Sequence, residues 1–316
     1  MKMHLPTLLA ILLYTRAGIF PDEAATGREA IPHSKPHMAF LNIKKVNGSM
    51  VCGGFLVRED FVVTAAHCYS PGEGIRVTPS FCFLSSPPCP PRVFSHIDVL
   101  LGAHDIMEHE KTQQWFPVLR YFPHPHFNQR TFSNDIMLLQ LNGKARFTLA
   151  VSPIVLPITA FSTSRAAPGS ICNVAGWGRT DIYNQSTTHR LQEVDLEVIN
   201  RNICKMYYPG FESGPSVLCV GDPGKKQGSF GGDSGGPLMC QGVVEGIVSY
   251  GKIHGIPPSV FTRISPFLPW ITYIMKTAAP TPSGEAGQGA VAPLPVKAQG
   301  RFPPQTTEKQ TQMHPC

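Results

Sequence analysis

The sequence predicts an all-β domain, a sandwich or a barrel, with a short helix near its C-terminal end. Three observations carry this. Apolar runs of strand length recur through the middle of the chain, as in Met38-Ala39-Phe40-Leu41-Asn42-Ile43, Phe61-Val62-Val63, Ile136 to Leu141 and Gly246-Ile247-Val248-Ser249-Tyr250. These runs are rich in β-formers and are split by Gly, Pro, Asn and Ser, the punctuation of a many-stranded protein. Helical patterns are confined to two places, around Asn200 to Met206 and from about Pro266 to Lys276. In the second, Ser265 reads as the N-cap and Pro266 as a first-turn residue.

Taken in order, residues 1–18 place Lys2 before a short apolar run ending near Tyr14, the pattern of a secretory signal cleaved near Ala17 or Gly18. That run is too short to span a bilayer and no long uncharged run follows, so no membrane anchor is expected. The 316 residues suit one large domain or two small ones, and a hydrophobic content of 42% is enough to build a core. A formal charge of +6 and a pI near 8.8 suggest mild attraction to polyanions such as glycosaminoglycans. Export permits disulfides, and nine cysteines fit it; an odd number leaves at least one without an intrachain partner. Residues 71–94 form a proline-rich insert, with Cys82 and Cys89, that does not read as a core strand. The insert reads either as an overhanging loop or as the translated remnant of an unspliced intron. Residues 277–316, rich in Pro, Gln and Thr and ending in Cys316, read as a disordered tail. Asn47-Gly48-Ser49 and Asn184-Gln185-Ser186 are glycosylation sequons on loops.

The chemistry concentrates in Gly228-Ser229-Phe230-Gly231-Gly232-Asp233-Ser234-Gly235-Gly236-Pro237-Leu238. A serine hydroxyl is a poor nucleophile at neutral pH and needs a base and donors for the developing oxyanion. Glycines around Ser234 allow a tight turn that aims backbone N–H groups into one concavity. Ser234 then attacks a carbonyl while the N–H groups of Gly232 and Ser234 hold the oxyanion. Thr64-Ala65-Ala66-His67-Cys68 offers the base and Asn134-Asp135-Ile136-Met137-Leu138-Leu139 the acid that orients it. Gly232-Asp233-Ser234-Gly235-Gly236 also fits the nucleophile elbow of α/β-hydrolases, but there the acid and histidine follow the serine. Here both precede it, which excludes that reading.

On these motifs the chain resembles the chymotrypsin-like serine proteases, in the branch of cathepsin G, chymase and the granzymes. Further matches are Pro32-His33-Ser34-Lys35-Pro36, Cys52-Gly53-Gly54-Phe55-Leu56-Val57, Gly246-Ile247-Val248-Ser249-Tyr250-Gly251-Lys252 and Val260-Phe261-Thr262-Arg263. The resemblance covers about Arg28 to Lys276 apart from the insert. It implies two six-stranded antiparallel β-barrels with the active site between them, and a protease domain over residues 24–276 after a short acidic propeptide, 19–23. It implies the triad His67, Asp135 and Ser234, with His67 as general base and acid. Ser249, Tyr250 and Gly251 would pair with the substrate backbone. Implied disulfides are Cys52–Cys68, Cys172–Cys240 and Cys204–Cys219, and Phe230 stands where most relatives have a further cysteine, an absence typical of this branch. Protein and peptide substrates, serpin-type inhibitors and a secreted or granule-stored location follow, with no cofactor and no metal.

Two departures from the family pattern matter. Relatives begin the mature enzyme with Ile-Ile-Gly-Gly or Ile-Val-Gly-Gly, whose freed amine pairs with the aspartate before the serine. Here Ala24-Ala25-Thr26-Gly27 aligns, so Ala24 would pair with Asp233 while two buried branched side chains are missing. In the specificity pocket the resemblance puts Gly228 at the floor, where trypsin-like relatives carry aspartate, and Ser259 at the second determinant. Cathepsin G has glutamate there and granzyme B arginine. With neither charge, the pocket is expected to take Phe, Tyr or Leu. The rival expectation is a catalytically weak or inactive homologue acting as a cationic polyanion-binding or antimicrobial protein.

Overall fold

Strand β2 shows why two bodies pack together here. Along Met38–Lys45, Ala39, Leu41 and Ile43 face one apolar cluster, while Met38 and Phe40 face another that contains Leu100, Trp177 and Leu191. Side chains alternate along a strand, so one face fills a barrel and the other is left for a neighbour. The computed structural model describes residues 27–45, 48–69, 75–77, 92–94, 96–157, 165–178, 188–211, 214–225, 233–252, 256–280 and 314–315.

The N-terminal half holds β1 (Arg28–Glu29), β2 (Met38–Lys45), β3 (Gly48–Arg58), β4 (Phe61–Thr64), β5 (Ile75–Val77), β6 (Arg92–Phe94), β7 (His96–Leu101), β8 (Gln114–Pro123) and β9 (Met137–Leu141). A closed barrel runs β2-β3-β4-β9-β8-β7 and back to β2, every pair antiparallel. Its interior is built from Leu41, Ile43, Leu56, Val62, Ile97, Val99, Phe116, Leu139 and Leu141. Burying each such side chain contributes about 1.5–3 kcal/mol. Strands β5 and β6 stand apart as a two-stranded sheet, with Ile75 opposite Phe94 and Val77 opposite Arg92. Two short segments near the ends of the proline-rich insert are therefore paired with each other.

The second half holds β10 (Ile171–Gly176), β11 (Gln192–Ile199), helix α1 (Arg201–Tyr207), β12 (Val217–Val220), β13 (Pro237–Cys240), β14 (Val243–Gly251), β15 (Ser259–Arg263), helix α2 (Leu268–Thr277) and β16 (His314–Pro315). Strands run β11-β10-β13-β14-β15-β12, and pairing of β12 with β11 closes a second six-stranded barrel. Strand β1 adds to the outer edge of β11, and β16 lies along β14. Val174, Leu196, Val198, Leu218, Leu238, Val248 and Phe261 fill this interior. Cys172–Cys240 links β10 to β13, Cys204–Cys219 ties α1 to β12, and Cys52–Cys68 ties β3 to the turn after β4.

Helix α1 begins where expected, capped by the Asn200 side chain accepting from the Asn202 N–H. The second helix differs from expectation. Ser265 is not an N-cap: Ser265–Phe267 is a single 3-10 turn, and α2 starts only at Leu268. Pro269 explains this. In a helix begun near Ser265 it would fall where an N–H must donate back one turn, and proline has none. Ile264, Phe267 and Ile271 belong to the first barrel's cluster, so α2 crosses back over that barrel. Chain carbonyls at and beyond its end are met by first-barrel side chains, Arg58 on Met275 O at 2.6 Å and Gln140 on Ala279 O at 2.9 Å.

Candidate active site

Histidine 67 sits in a 3-10 turn, Ala66–Cys68, immediately after β4. The Cys52–Cys68 bridge anchors that turn to β3. The backbone N–H of His67 donates to Asp135 Oδ1 at 2.9 Å, and Nδ1 donates to Asp135 Oδ2 at 2.7 Å. An ionised carboxylate only accepts, so Nδ1 carries the proton and Nε2 presents its lone pair.

Asp135 precedes β9 and is fully buried. Its Oδ2 also accepts from Ser249 Oγ at 2.5 Å, and its backbone carbonyl accepts from Thr262 Oγ1 at 2.9 Å. A buried carboxylate is costly unless hydrogen bonds replace water, and these donors, drawn from both barrels, do so. Beside the His67 turn, Tyr69 and Tyr121 stack at 5.0 Å. Burial pushes both phenols above their ordinary value, so they stay neutral near pH 7.

Ser234 lies at the junction of the barrels and is 3% exposed. Its carbonyl accepts from the Gly53 N–H at 2.7 Å, which ties the serine loop to β3. Gly235 has φ 84°, and a Cβ there would collide with Thr64 Oγ1, the Gly53 carbonyl and the Ala65 nitrogen. Only glycine allows the loop to approach the first barrel this closely. Bonds from Gly235 N to Val248 O and from Val248 N to Gly236 O, each 2.9 Å, fasten the loop to β14. His67 and Ser249 share the Asp135 carboxylate, and the Ser234 carbonyl lies 3.8 Å from Cys68 Sγ, one residue from His67.

Asp233 is buried, its Oδ1 accepting from the Gly178 N–H at 2.9 Å. A Cβ at Gly176 or at Gly178 would strike its carboxylate, so both glycines make room for it. Tyr250 lies 5.3 Å from the Phe132 ring and 5.5 Å from Tyr208, and Phe132 lies edge-on to His67 at 5.6 Å. Ser259, buried at the start of β15, is opposite Val220. Ala24, Gly228, Gly232, Asn47, Asn184, Cys82, Cys89 and Cys316 lie outside the described residues.

Sequence reasoning missed Phe132 and Thr262, and it gave Ser249 no bond to Asp135. Phe132 has φ 55°, a conformation a bulky residue rarely adopts, and nothing in its neighbours Thr131 and Ser133 announces it. Cys52, Cys68 and His67 bring sulfur and nitrogen atoms close together, but both sulfurs are spent in a disulfide and are not thiolate ligands.

Two six-stranded barrels, with a histidine–aspartate pair on the first and a glycine-framed serine loop from the second at their junction, define the chymotrypsin-like class. The comparisons with known proteins agree. The trypsin family model matches residues 24–271. Duodenase-1 of Bos taurus is 50% identical over 254 residues, covering 79% of this chain and 88% of its own. Granzyme H of Homo sapiens is 46% identical over 269 residues, covering 85% and 97%. Cathepsin G of Homo sapiens is 43% identical over 272 residues, covering 86% and 95%. A solved structure, "Structure of GrC", aligns with TM-score 0.66 and 41% identity over 79% of this chain and 98% of that one. The chain belongs to the trypsin family of serine endopeptidases. Among the described residues no helix is long and apolar enough to cross a membrane.

Proposed function

We propose that the protein hydrolyses peptide bonds with Ser234 as nucleophile, His67 as general base and then acid, and Asp135 as the group that orients the imidazole. The observation that carries this is the bonding of His67 Nδ1 to an Asp135 carboxylate already held by Ser249. With Nδ1 protonated, Nε2 takes the Ser234 proton as Oγ attacks the scissile carbonyl, and returns it to the leaving amine. The N–H groups of Gly232 and Ser234 stabilise the oxyanion, an effect of about 3–4 kcal/mol in such sites. The same bonding weighs against a homologue that only binds polyanions, which has no need of an oriented imidazole.

Substrate enters as an extended strand along Ser249, Tyr250 and Gly251. Gly228 and Ser259 leave the specificity pocket without charge, so an Arg or Lys side chain would be buried unpaired. Phe, Tyr and Leu gain about 1.5–3 kcal/mol from apolar burial there. Release of residues 1–18 and 19–23 delivers a secreted or granule-stored enzyme whose new Ala24 amine pairs with Asp233. Its partners are protein and peptide substrates, serpin-type inhibitors and anionic glycosaminoglycans.

Hydrolysis of a peptide panel that varies only the residue before the scissile bond tests the pocket. Phe and Tyr peptides are expected to exceed Lys, Arg and Asp peptides, with Lys cleavage gained in Ser259→Glu. Preferential cleavage after Arg or Asp by the native enzyme would contradict the assignment.

A further inference from the structure

Strand β14 loses its partner on one side just where the substrate edge begins. Pairing with β13 ends at Pro237 opposite Ile247, and the serine loop then takes both backbone groups of Val248. On the other side β15 continues, with Val260 opposite Tyr250. The edge that β13 gives up is met by the chain's own β16, antiparallel, with Pro315 opposite Tyr250 and His314 opposite Gly251. Proline has no N–H, so Pro315 sits in the non-bonded position of an antiparallel ladder. His314 and Gly251 are then the pair that exchange both backbone bonds.

We infer that the C-terminal segment around His314-Pro315 is a built-in ligand of the substrate-pairing edge and competes with peptide substrates for it. The inference rests on the reading that Ser249, Tyr250 and Gly251 receive the substrate backbone. An extended peptide on that edge needs the same Gly251 N–H and C=O that His314 uses, so the two occupants exclude one another. An unpaired strand edge is a template for any passing strand, and covering it with a segment of the same chain protects it. The stretch 281–313, at about 3.3 Å per extended residue, has ample reach to bring β16 to this edge. Tethering gives such a segment an effective concentration of about millimolar, enough for a short and individually weak pairing to compete with dilute substrate. Competition of this kind raises KM and leaves kcat unchanged.

The test uses the full processed chain with His314→Pro, which removes the N–H donated to Gly251, beside His314→Ala, which keeps it. A chain ending at Pro280 serves as a third form. His314→Pro and the shortened chain are expected to lower KM for a short Phe peptide about two- to ten-fold at unchanged kcat, with His314→Ala behaving as the native chain. Amide exchange at Gly251, measured in a Ser234→Ala background, is expected to quicken in His314→Pro. Equal KM values with equal Gly251 exchange would overturn the inference. A KM that falls when the native chain is diluted would also overturn it, because the occupant would then be a second copy. If no form hydrolyses any peptide but Gly251 remains protected by an intact His314, the tail contact stands and the catalytic reading fails.

Discussion

The Ser249 hydroxyl donates to Asp135 Oδ2 at 2.5 Å, the same oxygen that receives His67 Nδ1 at 2.7 Å. Ser249 comes from β14 of the second barrel, whereas Asp135 and His67 come from the first. The orientation of the imidazole therefore depends on how the barrels meet. Asp135→Asn is expected to reverse the histidine tautomer and lower kcat about 10³- to 10⁴-fold. Ser249→Ala removes one of the donors and is expected to lower kcat about ten-fold. The two variants are compared by kcat across pH, and equal losses would show that Ser249 does more than support the carboxylate.

The proposed pairing of the Ala24 amine with Asp233 has a direct test. The Asp233 carboxylate is buried against Gly176 and Gly178, where it accepts from the Gly178 N–H. Removing residues 1–23 is expected to raise peptidase activity, and replacing Ala24-Ala25 with Ile-Ile to raise it again by filling apolar space. Single-turnover kinetics on the three forms measure this. Equal activity with and without residues 1–23 would show that Asp233 is no activation switch.

The insert leaves the first barrel just after His67 and Tyr69, and its ends are held together by the pairing of Ile75 with Phe94. Were residues 71–94 to border the cleft, they would obstruct bulky substrates more than short ones. Deleting residues 71–94 is expected to speed cleavage of folded proteins selectively. The ratio of protein to short-peptide cleavage reports it, and an unchanged ratio would place the insert away from the substrate path.

His37 supplies a pH dependence of stability. Burial, with a smaller contribution from the nearby Lys35 charge, lowers its pKa from 6.5 to about 4, and its Nε2 has no hydrogen-bond partner among the described residues. The unfolded chain takes up this proton near pH 6.5, before the folded one does. The stabilisation is complete above pH 6.5 and is lost as pH falls toward 4, by up to about 3 kcal/mol. Urea midpoints measured over that range are expected to fall less steeply in His37→Phe. An identical slope would assign the acid sensitivity to other groups.

The sequence shows the strands wherever β-formers are buried on both faces, as in Phe61–Thr64 and Met137–Leu141, because nothing polar interrupts the run. It misplaces the start of α2 because an apparent cap at Ser265 outweighs a proline four residues on. His67, Asp135 and Ser234 stand out in the sequence since each sits in a local pattern that the proposed chemistry requires. Phe132 and Thr262 are not. The positive φ of Phe132 and the bond from Thr262 Oγ1 to the Asp135 carbonyl exist only once distant segments have packed. The pairing of His314 with Gly251 is equally silent, since a Pro/Gln/Thr-rich tail carries no strand pattern.

The central claim is that Ser234 is an activated nucleophile, and a serine-reactive fluorophosphonate tests it most directly. The processed native chain is expected to take one label, mapped by peptide mass to Ser234. Asp135→Asn and the heat-unfolded chain are expected to take almost none in the same time. Absence of label on the native chain, or label at a serine other than Ser234, would contradict the account.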